Sequence, residues 1–412
     1  MKLQQRLGAT QDTELVRIVD GWYEVESDGY RHDMPVLHYH GRTADGDYRH
    51  FAVDGYRPYF YVAADDVTPD ELDNLAHDRR VLSVESAERD GVGRGERDIE
   101  LIKVVVECPW HVKQLRTEFP RTWEADVLFP QRFLVDRGVT GLCRVPADNS
   151  GPLDATDVQS VDIDAVDDDP EPRVVTWDIE VAAEDALERA FDEGLVDADR
   201  ESMDPAAMPN ANVARRPITA VSLHDSYIDE YQTFVLRHSD WDDKLIDSGE
   251  LEESVREATG VDVDVEVYAR ERTMLTDVLG AVLDYRPGVV TGWNNDAFDM
   301  PYVVNRCFQL DISEVKRLSP TGNVEPHDDG GRFINSDITG VHVFDLLAAY
   351  EKSQYTELKS STLEAVAAEE TEYAKFDVDE QAAWLDDPVR FTEYVTRDTQ
   401  ATVAINQEVS LL

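Results

Sequence analysis

The chain has 412 residues, enough for two or three domains each with its own core. A hydrophobic content of 42% excludes a disordered chain, whereas 87 acidic against 39 basic residues give a formal net charge of -48. At molar salt, where the Debye length falls to about 3 Å, such self-repulsion is screened, so the composition suits a very salty cytoplasm. Acidic residues are spread along the whole length rather than gathered in a tail. Acidity does not exclude a nucleic-acid partner, because counterion release contributes little to binding in molar salt.

Residues 15–145 read as strand-rich, with apolar runs such as MPVLHYH, YRPYFYVAA and ELIKVVVECP set between turn signals. His38 and His40 share one strand face without a third metal ligand in the pattern, and GVGRG at 91–95 lacks the G-K-[ST] of a phosphate loop. Both are expected to be surface strand and hairpin. Cys108, Cys143 and Cys307 show no C-x-x-C spacing, which indicates neither a disulfide framework nor a zinc site. No apolar run approaches the length of a membrane span, and the N-terminus lacks a signal-peptide core, so a soluble cytoplasmic protein is expected. The stretch 146–172 is rich in Asp, Ser, Gly and Pro and marks a boundary. It divides a strand-rich N-terminal domain (1–146) and an acidic linker (147–172) from a second domain (173–412).

In the second domain strands are predicted at 173–181, 217–223, 230–236, 288–293 and 341–345. The acidic stretch 184–216 reads as a surface insertion. A helix follows from Met274, Leu275, Val278, Leu279, Val282 and Leu283, which recur at helical spacing. A final helix is predicted from Asp387-Pro388, an N-cap followed by the residue best tolerated in a first turn, to about Val409. This order describes an α/β layer fold compatible with a ribonuclease-H-like sheet.

Asp178 and Glu180 stand two apart at the end of an apolar strand, so their side chains leave one face. Tyr394 and Asp398, at i and i+4, share a face of the last helix. Asp299 follows Phe298 where strand 288–293 passes into the next helix. Each pattern alone has an ordinary explanation in solvated acids, an amphipathic helix and loop chemistry. Acid clusters without His or Cys are the donor set that Mg²⁺ and Mn²⁺ prefer, and two such ions about 4 Å apart can drive phosphodiester hydrolysis.

Taken in order, Asp178-Ile179-Glu180, Asn294 to Asp299 and Tyr394 to Asp398 resemble the Exo I, Exo II and Exo III motifs of the proofreading exonucleases of family B DNA polymerases. The likeness continues through ERTMLTDVLGAVLDYRPGVVTGWNNDAFDMPYVVNR, VHVFDLL and SSTLEAVA, and GYRPYFYV and FPQRFLVDRG are similar to archaeal, halophile-like members. The resemblance implies a metal-dependent 3′-to-5′ exonuclease on single-stranded DNA with two Mg²⁺ or Mn²⁺ ions. Asp178 would bridge the ions, Glu180 and Asp398 would complete the first, and Asp299 would hold the second, partly through water. Tyr394 would orient the attacking water; a glutamate rather than a histidine at 393 favours this tyrosine (DEDDy) subtype. Asn294 and Phe298 match positions that contact the 3′ end, and Pro58, Phe129 and Arg132 match a pocket for template uracil in archaeal members. The S-L-Y-P-S-like and D-T-D segments of the polymerase domains do not occur, so polymerisation is not expected from this chain. The alternative is a non-hydrolytic binding module, uracil-sensing or part of a split polymerase, acting with a polymerase or replication partner.

Overall fold

The computed structural model describes residues 12–26, 33–87, 100–148, 151–163, 166, 170–182, 209–238, 241, 248–324, 338–354, 358–372, 384–385 and 387–412. The chain divides into two compact units, Met1–Glu171 and Pro172–Leu412. The GVGRG stretch and most of the 184–216 stretch lie outside the described residues.

In the first unit β1 (Thr13–Glu26), β2 (Met34–Thr43) and β3 (Tyr48–Asp54) form an antiparallel meander. A second sheet is built on β4 (Tyr59–Ala63), β5 (Val81–Ala87), β6 (Leu101–Val106) and the short β7 (Thr122–Trp123). Helices α1 (Pro69–Ala76), α2 (Pro109–Leu115) and α3 (Phe129–Arg137) each open on a proline near the first position, where the missing N–H costs nothing. Strand β8 (Leu142–Pro146) pairs with β1.

The stretch expected to be linker is partly built into this unit. Its β9 (Leu153–Asp154) pairs with β3 and its β10 (Gln159–Ser160) with β8, while Leu153 and Val158 are buried in the same core as Val16 and Phe51. Two spaced apolar residues suffice to anchor a polar stretch, which its composition concealed. The histidines also depart from the surface expectation: His40 is buried, and His50 lies across from it on β3.

The second unit is centred on one sheet of six strands in the order β14-β13-β12-β11-β15-β16. Strands β11 (Val174–Val181), β12 (Ile218–Asp225), β13 (Glu230–Leu236), β15 (Val289–Gly292) and β16 (His342–Asp345) fall where they are predicted. The edge strand β14 (Val263–Tyr268), with the preceding helix α4 (Ser248–Thr259), adds to the prediction. β11 runs antiparallel to β12 and parallel to β15, which makes it central. Its β-branched, buried character follows from having a strand on either side. Helix α5 (Glu271–Tyr285) buries the predicted stripe of Met274, Leu275, Val278, Leu279 and Val282.

Four further helices are α6 (Asp299–Gln309), α7 (Leu346–Ser353), α8 (Leu363–Glu370) and α9 (Pro388–Val409). The arrangement is a mixed α/β, ribonuclease-H-like fold. The end of the acidic stretch is not surface: Ala211, Ala214 and Arg216 are buried. Side chains of α6 hold its backbone, with Asn305 donating to the Ala211 carbonyl, Arg306 to those of Ala214 and Arg215, and Tyr302 to that of Arg216. Arg306 is itself paired with buried Glu271 at 2.6 Å. No described helix is long and apolar enough to cross a membrane.

Candidate active site

Alternation along β11 sends Trp177 and Ile179 into the core and Asp178 and Glu180 to the opposite face, where both are half-buried. The ladder with β12 shifts register between Glu180 and Val181, a bulge that ends regular pairing where the carboxylates emerge. Asp178 stands opposite Ser222 on β12.

Helix α9 supplies the third acid. Asp387 caps it by accepting from the Arg390 amide at 3.2 Å, and Pro388 follows, as the sequence predicts. The sheet-facing side of α9 carries small hydroxyl residues: Thr396 bonds Thr233 at 2.9 Å, and Thr399 donates to the Ser222 carbonyl at 3.4 Å. Because Ser222 is the partner of Asp178, this last bond seats the neighbouring Asp398 beside the end of β11. One carboxylate oxygen from each of Asp178, Glu180 and Asp398 lies within 4.8 Å of the others. An ion with ligands at 2.0–2.1 Å has opposite ligands about 4 Å apart, so this all-oxygen triad fits a Mg²⁺-sized cation after small side-chain adjustment. Tyr394, one turn before Asp398, is half-buried against the core that contains Phe298 as a flanking residue.

Asp299 arrives from the other side. Strand β15 ends at Gly292, a tight turn spans 293–298 with Asn294 in the left-handed conformation at φ 65°, and Asp299 is the first residue of α6. The Ile179 amide donates to Asp299 Oδ1 at 3.3 Å, which places this acid directly beside β11. Burial pushes the Asp299 carboxyl up to about 7, opposed by the backbone N–H groups of Ile179 and of Asp299 itself and reinforced by the nearby Asp345 carboxylate. Phe298 lies on the partly buried rim, its ring 5.4 Å from that of Tyr302.

Asp345 is a fifth acid that the sequence patterns did not single out. It ends β16 and caps α7, accepting from the Ala348 amide at 2.8 Å and from the Asp296 amide at 3.1 Å. The VHVFD segment marks it only as an acid at a strand end, like many others in this chain.

Pro58, Phe129 and Arg132 lie in the first unit. Phe129 and Arg132 are on α3 and buried, and Tyr56, two residues before Pro58, stacks on Phe129 at 5.6 Å. Arg132 is ion-paired with Glu124 and with Asp136 at 3.7 Å, and its guanidinium lies 4.6 Å over the Tyr59 ring. Tyr56 and Tyr59 donate to the same Asp136 carboxylate, so the start of β4 and the turn before it are bonded to α3.

With this geometry in view, residues 121–366 match the family described as DNA polymerase family B, exonuclease domain. The chain belongs to that family. The matched span contains Asp178, Glu180, Asn294, Phe298 and Asp299 and ends before Tyr394 and Asp398. The DNA-directed DNA polymerase of Enterobacteria phage T4 is 33% identical over 190 residues, 42% of this chain and 20% of the phage protein. DNA polymerase 2 of Aeropyrum pernix is 25% identical over 378 residues, 85% of this chain and 38% of the relative. The fold is similar to that of the family B DNA polymerase of Pyrobaculum calidifontis, with a TM-score of 0.66 at 20% identity over 96% of this chain and 46% of that one. The chain thus spans under half the length of each of these relatives. Membership in this exonuclease family implies 3′-to-5′ exonuclease activity, and the acidic triad is compatible with metal binding.

Proposed function

We propose that the protein removes nucleotides from the 3′ end of single-stranded DNA by hydrolysis that depends on two divalent ions, Mg²⁺ or Mn²⁺. The observation that carries this reading is the convergence of Asp178, Glu180 and Asp398 within 4.8 Å, with Asp299 bonded to the intervening Ile179 amide. Asp178 would serve both ions, Glu180 and Asp398 the first, and Asp299 the second. Bound there, the ions would offset charge on the phosphate and the leaving oxygen and lower the pKa of the attacking water.

The chain's own groups set the rest. Tyr394, one helical turn from Asp398, would orient the attacking water through its hydroxyl. Asn294, in its left-handed turn, would hold the terminal nucleotide, and Phe298 would stack on its base. Stacking contributes about 1 to 3 kcal/mol per base and is less sensitive to salt than phosphate contacts, which suits a protein of such negative charge in a salt-rich cytoplasm.

The alternative, a non-hydrolytic module that senses uracil through Pro58, Phe129 and Arg132, has less support. Arg132 already has its charge opposed by Glu124 and Asp136, and a pure binder has no use for a metal-type acid cluster.

The direct test is digestion of 5′-labelled single-stranded DNA in molar KCl with Mg²⁺ or Mn²⁺, beside Asp178→Ala and an RNA of equal sequence. Stepwise shortening from the 3′ end, lost in Asp178→Ala and on chelation, is the expected result. Shortening that persists in a folded Asp178→Ala protein would sink the assignment.

A further inference from the structure

The acids of the site come from separate segments, and the structure contains a device that fixes two of these to each other. Asn295, in the turn between β15 and α6, is completely buried. Its Oδ1 accepts from Trp177 Nε1 at 2.7 Å, and its Nδ2 donates to the carbonyls of Val290 and Phe344, each at 3.3 Å. Its backbone carbonyl accepts from the Met300 amide at 3.1 Å. One side chain therefore ties the turn to β11, β15 and β16, while its main chain joins the first turn of α6.

Trp177 immediately precedes Asp178, and Ile179, which immediately follows it, donates to Asp299. Asp178 is thus flanked on both sides by bonds to the segment that carries Asp299. The two segments are also in close contact at Gly292, where a Cβ would lie 2.6 Å from the Trp177 carbonyl oxygen. The Asp296 amide, next in the turn, is held by Asp345. A turn that merely linked strand to helix would leave its polar groups to solvent, whereas this one places in the core a side-chain amide with three hydrogen bonds.

We propose that the Trp177–Asn295 hydrogen bond sets the separation of Asp178 and Glu180 from Asp299, so that Trp177 and Asn295 are positioning residues for the metal site. The inference rests on the metal-site reading proposed above. Mg²⁺ demands near-ideal octahedral geometry at 2.0–2.1 Å, whereas Ca²⁺ accepts irregular sites. A displaced Asp299 segment therefore penalises Mg²⁺ more than Ca²⁺, a selectivity that simple loss of stability does not produce.

The test is calorimetric titration of DNA-free protein with Mg²⁺ and with Ca²⁺, comparing wild type with Trp177→Phe, which keeps a ring but removes the donor. Trp177→Phe is expected to weaken Mg²⁺ binding roughly tenfold or more, the range for loss of a group that orients metal ligands, and Ca²⁺ binding distinctly less. Val278→Ala, a core truncation on α5, serves as a control expected to lower the melting temperature without changing either affinity. Should Trp177→Phe not fold, the double variant Trp177→Phe/Asn295→Leu removes both partners, leaves no orphaned amide oxygen, and is expected to show the same selective loss. Folded variants with wild-type affinity for Mg²⁺, or with equal losses for both ions, overturn the positioning role. Wild-type protein that takes up neither ion overturns the metal-site reading and this inference with it.

Discussion

On the β1–β3 sheet of the first unit, Trp22 stacks on His38 at 5.4 Å and on His50 at 5.5 Å, and the two histidines contact each other through Nδ1 and Nε2 at 3.2 Å. At the end of β11 in the second unit, three carboxylates meet within 4.8 Å with a fourth, Asp299, buried alongside. The histidines can shed their charge and become an aromatic stack. Burial lowers the proton affinity of His38, His40 and His50, pushing His40 down to about 4 with help from the adjacent His50 and Arg42. The carboxylates have no such exit while they serve as ligands, because their proposed work needs the ionised form. Burial of titratable groups thus has two outcomes: a cluster neutralised from within is packing, and one that calls for charge from outside is a site.

The largest effect that bears on this contrast is expected at the acids. Asp398→Asn should lower 3′-to-5′ hydrolysis by about a hundred- to a thousandfold, comparable with losses on removal of other charge-stabilising catalytic groups, with little change in melting temperature. Labelled-oligonucleotide digestion and thermal melting of the same preparation measure both. A comparable activity loss on replacing His50 would erase the contrast.

Next comes the metal-free stability of the second unit. Because the folded-state value of Asp299 is raised from 3.8 to about 7, the folded protein binds the extra proton between those values. Its contribution is fully present below pH 4 and is lost as pH rises through 7, on the order of 4 kcal/mol for a shift of this size. In EDTA at pH 8, Asp299→Asn should therefore be more stable than wild type, with the advantage gone at pH 4. Urea unfolding at the two pH values reads the difference; a destabilised Asp299→Asn at pH 8 would mean that the buried charge is compensated.

The histidine cluster should respond with the opposite sign. A depressed folded-state value means that stability is present above pH 6.5 and is lost as pH falls toward about 4, by roughly 3 kcal/mol for His40. His40→Leu should flatten that slope in urea titrations between pH 7 and 4. The smallest effect is expected for Trp22→Phe, within about 1 kcal/mol, because lost stacking is offset by removal of a buried indole N–H that has no hydrogen-bond partner among the described residues.

Much of this architecture was legible in the residues. The apolar run before Asp178, the α5 stripe and the Asp387-Pro388 cap each carry a local signal, and the structure places their elements accordingly. β14 could also have been found, since the alternating VDVDVEV has a period of two, but its short polar steps resemble the acidic background of the chain. The buried tail of the acidic stretch had no such signal. Ala211, Ala214 and Arg216 are held through their backbones by α6, and a helix whose polar side chains bind another segment's carbonyls looks from sequence like an ordinary amphipathic surface helix. The same limit hid Asn295, which beside Asn294 reads as a second turn residue. Its role comes from bonds to residues 118 positions earlier and 49 later, distances over which periodicity carries no information.

The capped start of α9 has a consequence for how this chain tolerates change in length. Asp387 and Pro388 fix where the helix begins, and Thr396 and Thr399 fix which side meets the sheet. The interval between cap and Tyr394 therefore acts as a counted phase. Each residue inserted into or deleted from it would turn the rest of the helix by about 100° relative to the cap, because the helix has 3.6 residues per turn. Either the hydroxyl face or the cap would have to give way. Substitutions on the outer face of that interval can be absorbed one at a time, whereas a single-codon insertion or deletion would either break the cap or swing Tyr394 and Asp398 away from β11, without altering any residue of the site.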